Sequence, residues 1–293
     1  MVLSKFLDPK NDIAFKRVFG SEEHKDILIH FINDILEFKD NDQIESVEYL
    51  SPMQNPELIY KKQSVVDVLC KDKNGVQIIV EMQVAPSKGF EKRAQYYAAK
   101  AYSRQLNKGA KNKYSHLKEI IFIAITDSVI FPNKKEYKSD HIILDKNTFE
   151  HDLRDFSFTF VELPKFKKTK IEELDGIVEK WCYFFKYADE TSEEDLKKLI
   201  GSDLVIERAY DVLNQFNWSE PDLLAYEGEI KRIRDNIAAL DYQLDKAEAK
   251  GREEGSEKRN IEIAINMIKQ NLDNSLISSV TGLSVDDILK LWK

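Results

Sequence analysis

Two hydrophobic periodicities alternate along this chain. DPKNDIAFKRVFGS has the marks of a helix start, with Asp8 as N-cap, Pro9 at the first helical position, and Ile13, Phe15, Val18 and Phe19 supplying apolar faces. KDILIHFINDIL continues as a second apolar helix. IESVEYL, LIYKKQSVVDVLC and VQIIVEMQV then read as strands, and a helix follows from about Phe90 to Asn107. EIIFIAIT is an unbroken apolar run of strand length, the pattern of a strand buried on both faces. HIILDK and FSFTFVEL predict further strands. Beyond them IEELDGIVEKWCYFFKYA, EEDLKKLI and DLVIERAYDVLNQF are helical in spacing. The pattern divides near residue 190: 1–190 predict an α/β domain and 191–293 a helical extension. Within the extension, Ile230, Ile233, Ile237, Leu240, Leu244 and Ala247 recur at alternating steps of three and four, a coiled-coil seam. The charged, low-complexity DKAEAKGREEGSEKR comes next. NSLISSVTGLSVDDILKLW closes the chain as two short amphipathic helices that meet at Thr281 and Gly282, with Ser284 as a cap.

Two acids break the strand pattern. In VVDVLCKDKNGVQIIVEMQV, Val66, Val68 and Cys70 form one apolar face, and Val76, Ile78, Val80, Met82 and Val84 another. Asp67 and Glu81 stand on the opposite, mixed faces. A two-residue turn at Asn74-Gly75 would oppose Asp67 to Met82 and scramble those faces. A three-residue loop of Lys73, Asn74 and Gly75, with Gly75 left-handed, keeps them consistent. That register pairs Val66 with Met82, Val68 with Val80, and Asp67 with Glu81. Opposed like charges about 5 Å apart destabilise a sheet, and buried carboxylates also lose hydration. A divalent cation that prefers oxygen ligands relieves both penalties, with Gln83 on the same face two residues on. The alternative is an exposed face on which both acids are simply solvated.

Composition narrows the classes. The chain has 293 residues, enough for one substantial core and a smaller second unit, and a formal charge of −8. It contains no run of eighteen apolar residues and no signal-peptide pattern, so a cytoplasmic protein without a membrane partner is expected. Cys70 and Cys182 have no metal-type spacing and read as reduced core thiols. The five histidines show no ligand spacing, and no phosphate loop, nucleophile elbow or Cys/His cluster occurs. Against the acidic total, residues 88–118 hold nine basic residues and one acid. Arg93, Lys100, Arg104 and Lys108 recur there at helical spacing with Tyr97, which suits either a phosphate-contacting stripe or a solvated face.

Three segments together resemble the PD-(D/E)XK nuclease superfamily, and within it the bacterial recombination-promoting nucleases often described as transposases. They are FLDPKNDIAFKRVFG, VDVLCKDKNGVQIIVEMQV followed by RAQYYAAKAYSRQL, and the C-terminal stretch from Ala249 to Trp292. The resemblance implies a restriction-endonuclease-like mixed sheet flanked by helices, with the helical extension behind it. It places Asp67 and Glu81 on the metal-binding acids and Gln83 where the superfamily usually carries lysine. Glutamine orients a water but brings no charge, and glutamine is common in this particular group. The implied reaction is Mg²⁺- or Mn²⁺-dependent hydrolysis of DNA, linked to recombination or mobile elements. Asp12 is then a candidate additional ligand, or else a plain surface partner of Lys16 one turn away. Lys16 joins Arg93, Lys100, Arg104 and Lys108 as a DNA-contact candidate, and Lys100 is a candidate substitute for the missing amine. Asp286 and Asp287 at the start of the last helix repel phosphate, so the C-terminal pair suits packing or homo-oligomer formation better than base reading. Three classes follow: a metal-dependent endonuclease, a non-cutting relative that binds DNA or a partner, and an assembly protein built on its tail.

Overall fold

The protein is described here by a computed structural model covering residues 4–54, 64–106, 113–201 and 203–292. It opens with helices α1 (Asp12–Phe19) and α2 (Lys25–Ile35). The cap of α1 is Asn11, whose side-chain oxygen accepts from the N–H groups of Ile13 and Ala14. Asp8, expected to be that cap, instead accepts the Lys10 N–H, so Pro9 lies in a turn before the helix. Asn caps as well as Asp does, and a start at Asn11 places the buried Ala14, Phe15, Val18 and Phe19 within two regular turns.

The strands follow as β1 (Val47–Tyr49), β2 (Met53–Gln54), β3 (Ser64–Val65), β4 (Val68–Asp72) and β5 (Gln77–Gln83). Helix α3 (Phe90–Arg104) leads to β6 (Ile120–Thr126), β7 (Lys138–Ile142) and β8 (Phe156–Glu162). Among the described residues, six strands form one sheet in the order β1-β4-β5-β6-β8-β7, while β2 and β3 pair separately. The pairs β5/β6 and β6/β8 are parallel, and β1/β4, β4/β5 and β7/β8 are antiparallel. A mixed sheet of this kind matches the expected class. The long strand expected up to Cys70 is divided: β3 ends at Val65 and β4 begins at Val68, with Asp67 in the break. The part of that strand from Leu58 to Gln63 lies outside the described residues. β7 lies earlier than HIILDK implies, because Asp145 accepts the N–H groups of Asn147 and Thr148 and turns the chain there.

All seven residues of β6 are buried, as its unbroken apolar run predicts. One face of the sheet packs on α3, with Leu69, Ile79, Phe122, Ala124 and Phe160 meeting Phe90, Ala94, Ala98 and Ala101. The alternate residues Ile78, Val80, Ile123 and Ile125 are fully buried on the opposite face. The helices α4 (Ile177–Tyr187), α5 (Glu193–Ile200), α6 (Leu204–Leu213) and α7 (Glu220–Lys269) follow, then α8 (Asn274–Thr281) and α9 (Val285–Leu291). Phe19, Phe31, Trp181 and Phe185 interlock with ring centroids 4.9–6.0 Å apart, which joins α1, α2 and α4. Cys70 and Cys182 are buried free thiols, and burial pushes both up to about 12.

The first compact unit runs to Glu229 and the second covers Ile230–Lys293. The boundary falls later than residue 190 because α6 packs on α1, α2 and α4, with Tyr210 edge-on to Phe6 and Phe184. In the second unit the low-complexity stretch is uninterrupted helix within α7. Ala264, Ile277 and Ile288 form a small core there. Gly282 is left-handed at φ 72°, and Ser284 caps α9 as expected. Along the α7 seam, Ile237, Leu240 and Leu244 are 48, 61 and 59% exposed.

Phe31 is fully buried at the centre of the aromatic group. Phe31→Ala is expected to lower unfolding free energy by about 3–5 kcal/mol, measured as a reduced urea midpoint; an unchanged midpoint would refute the assigned packing.

Candidate active site

The hairpin that carries the two acids forms for local reasons. Val68 pairs with Val80, Leu69 with Ile79, and Cys70 with Ile78. Gly75 has φ 85°, the left-handed conformation that suits glycine. Asp72 tightens the loop by accepting the N–H groups of Asn74 and Val76. The loop and the Val68–Val80 pair are those derived from the alternating faces; the expected Val66–Met82 pair does not form, because the Val66 N–H donates to the Pro52 carbonyl and the Met82 N–H to Asp67. Carried one residue further, the register opposes Asp67 to Glu81, and here the backbone ladder stops. Asp67 instead turns its own carboxylate inward and accepts the Met82 N–H through Oδ2 at 2.9 Å.

The two acids sit in a dry setting. Glu81 is 5% exposed, and its Oε1 is buried without a hydrogen-bond partner. Burial, and after it the Asp67 charge, hold its carboxyl well above the ordinary range, against the opposing pull of Arg93, the Asp67 N–H and Lys16. Burial likewise lifts Asp67 to about 6, with Asp12 adding to the rise and the Met82 N–H and Lys16 opposing it. Lys16 Nζ lies 2.7 Å from Asp12 and 3.8 Å from Asp67. Burial disfavours this ammonium, but Asp12, Asp67 and Glu81 outweigh it and keep Lys16 above the ordinary lysine value. Lys16, taken from the sequence as a DNA contact, therefore sits beside the acids.

Gln83 and Arg93 meet on the same side. An Arg93 Nη2–H donates to Gln83 Oε1, and Gln83 Nε2 donates to the Ala85 carbonyl. The guanidinium lies over Phe90 at 4.7 Å and near Tyr97 at 5.9 Å. The sequence groups Arg93 with a backbone-contact stripe and misses this pairing with Gln83. The signal available was the spacing Phe90, Arg93, Tyr97, which brackets a guanidinium between two rings on one helix face. Lys100 and Arg104 lie further along α3, with Lys100 Nζ 6.0 Å from the Tyr96 ring. Lys108 lies outside the described residues. Two histidine ring nitrogens, His24 Nδ1 and His151 Nε2, are buried without partners.

Among the described residues, no three Asp, Glu, His or Cys side chains gather as a complete metal-ligand group. Asp12 thus adjoins Asp67 without completing a three-acid set. The donor chemistry still fits a hard divalent ion: magnesium takes one or two carboxylates and fills its shell with water and substrate phosphate. The unpartnered Glu81 Oε1 is the oxygen left over for such an ion.

The family model described as PD-(D/E)XK nuclease family transposase matches residues 9–243. The chain belongs to this family. Membership in the PD-(D/E)XK nuclease family transposases fits the mixed sheet and flanking helices to a restriction-endonuclease-like fold, and it indicates a nuclease or mobile-DNA role. No curated protein and no solved structure gives a significant match. Among the described residues, no helix is long and apolar enough to cross a membrane.

The raised Asp67 has a consequence for stability. In the unfolded chain an Asp loses its proton near pH ~4, whereas folded Asp67 keeps it to about 6. Folding therefore takes up a proton between those values, and without divalent metal stability falls as pH rises from 4 through 6. Urea unfolding in EDTA at pH 5 and pH 7.5 is expected to show this loss in the wild type and a smaller one in Asp67→Asn. Equal losses would refute the desolvation argument.

Proposed function

We propose that this chain is a divalent-metal-dependent DNA endonuclease that hydrolyses phosphodiester bonds and serves recombination or mobile DNA. The observation that carries this reading is the unsatisfied, buried Glu81 Oε1 beside Asp67, in a family of nucleases. Asp67 and Glu81 would hold Mg²⁺ or Mn²⁺, with Asp12 as a neighbouring third acid. When bound, such an ion supplies Lewis acidity toward the phosphate and a more acidic water.

The chain's own residues have separate tasks. The Met82 N–H fixes the orientation of Asp67, which leaves the other carboxylate oxygen for the ion. Gln83 orients a water through its amide. Lys16, held by Asp12, balances part of the charge of the acids from α1. Arg93, Lys100, Arg104 and Lys108 contact the DNA backbone along and beyond α3, where the positive charge of an otherwise acidic chain is gathered. The reaction belongs to the first compact unit, Met1–Glu229, in a cytoplasmic protein, and the helices of the second unit serve assembly.

A second reading has its own support. Gln83 carries no charge, and Lys16 lies 3.8 Å from Asp67, where it competes with a cation. Both features suit a weakly active or non-cutting relative that binds DNA or a partner. Supercoiled plasmid incubated with Mg²⁺ or Mn²⁺ separates the two. Nicking or linearisation by the wild type, reduced at least about 100-fold in both Asp67→Ala and Glu81→Ala, supports the endonuclease. DNA binding without cleavage supports the relative.

The exposed seam of Ile237, Leu240 and Leu244 on α7 supports homo-oligomer formation through a second copy of the same helix. The double variant Leu240→Glu/Leu244→Glu is expected to halve the mass seen by light scattering. A wild type that is already monomeric at micromolar concentration refutes that role.

A further inference from the structure

Hydrolysis of a phosphodiester places additional negative charge on the non-bridging oxygens in the transition state, and a cation aimed there accelerates the reaction. Gln83 brings none. Two cations border the acids, and they differ in what they are already bonded to. Lys16 is held by both oxygens of Asp12, at 2.7 and 2.9 Å. Arg93 donates from Nη2 to Gln83, but its Nε–H is buried and has no acceptor.

An unpaired buried donor is unfavourable, and one on a charged group more so. The site thus contains two unmet demands of opposite sign: an acceptor without a donor on Glu81, and a donor without an acceptor on Arg93. They belong to neighbouring charges, since Arg93 is among the groups that lower the Glu81 carboxyl. Their direct pairing would satisfy each, yet the structure leaves both unpaired. One ligand answers both demands, a phosphate oxygen that brings its metal ion to Glu81 and its lone pair to Arg93. Nη2 is committed to Gln83, so the Nε–H is the donor left for a phosphate oxygen. The Phe90 and Tyr97 rings and the Gln83 amide hold the plane of the guanidinium before any ligand arrives.

We propose that Arg93 is a catalytic residue of this site: its Nε–H donates to a non-bridging oxygen of the scissile phosphodiester, and Gln83 positions the guanidinium for it. Gln83 and Arg93 together then do what one lysine at position 83 could do alone. This inference rests on the endonuclease reading above and separates Arg93 from Lys100 and Arg104, which contact the backbone away from the cut.

Purified full-length wild type, Arg93→Ala, Arg93→Lys and the double variant Gln83→Lys/Arg93→Ala test it. Plasmid cleavage in Mg²⁺ and anisotropy of a fluorescent DNA duplex in EDTA are both measured. Arg93→Ala is expected to cut at least about 100-fold more slowly and to bind duplex at least about 10-fold more weakly, with its circular-dichroism melt retained. Arg93→Lys or the double variant should recover at least about tenfold of the cleavage rate, because either returns a cation to the site. A side chain that only propped Gln83 would leave duplex binding in EDTA unchanged on Arg93→Ala. Cleavage by Arg93→Ala within about threefold of wild type, or rescue by neither lysine variant, overturns the proposal while leaving the endonuclease reading in place. A wild type that binds DNA and does not cut it overturns both.

Discussion

Burying two carboxylates side by side in a sheet is unfavourable unless something compensates for lost hydration and mutual repulsion. Asp67 and Glu81 are in that position, and the neighbouring structure compensates for it only in part. The Met82 N–H takes one Asp67 oxygen, Lys16 contributes charge from α1, and Arg93 contributes charge from α3. One Glu81 oxygen still lacks a partner. The fold has therefore placed acids where stability alone would favour apolar residues. Such local conflict is expected at a functional site.

The surrounding elements follow from that demand. The tight Asp72–Val76 turn fixes the register that brings the acids face to face. The break at Asp67 ends the ladder and frees a carboxylate to clasp Met82. α3 crosses the same sheet face and brings Arg93 to Gln83, while the alanines Ala94, Ala98 and Ala101 let the helix lie close against the strands. On α1, half-exposed Asp12 and Lys16 lie on the face next to the fully buried Phe15 and Phe19, so one helix serves both the acid group and the aromatic core. The family match covers these elements together, from residue 9 into α7.

Charge around the acids is only partly balanced. Burial and the Asp67 charge raise the Glu81 carboxyl, and Arg93 and Lys16 oppose that rise. Lys16 stands 3.8 Å from Asp67. Lys16, on a flexible four-carbon stem, is held by Asp12 at 2.7 Å, whereas the Arg93 guanidinium rests against the Phe90 and Tyr97 rings.

Periodicity and turn chemistry along the chain were enough to determine the helices α1 and α2, the buried strand β6, the left-handed Gly75, the hairpin register and the Ser284 cap. These depend on residues within a few positions of one another, and backbone geometry allows few alternatives over such spans. The opposition of Asp67 and Glu81 was legible for the same reason, since fourteen residues around one turn leave one consistent pairing. Tertiary structure alone decided the rest. Asn11 displaced Asp8 as cap because that start suits the packing of α1. The first unit extended to Glu229 because Tyr210 found Phe6 and Phe184. Lys16 turned toward acids fifty residues away, and Arg93 left its stripe to bond Gln83. Those contacts depend on where whole helices settle on the sheet. The energy that settles them is summed over a core and cannot be read from spacing along one segment.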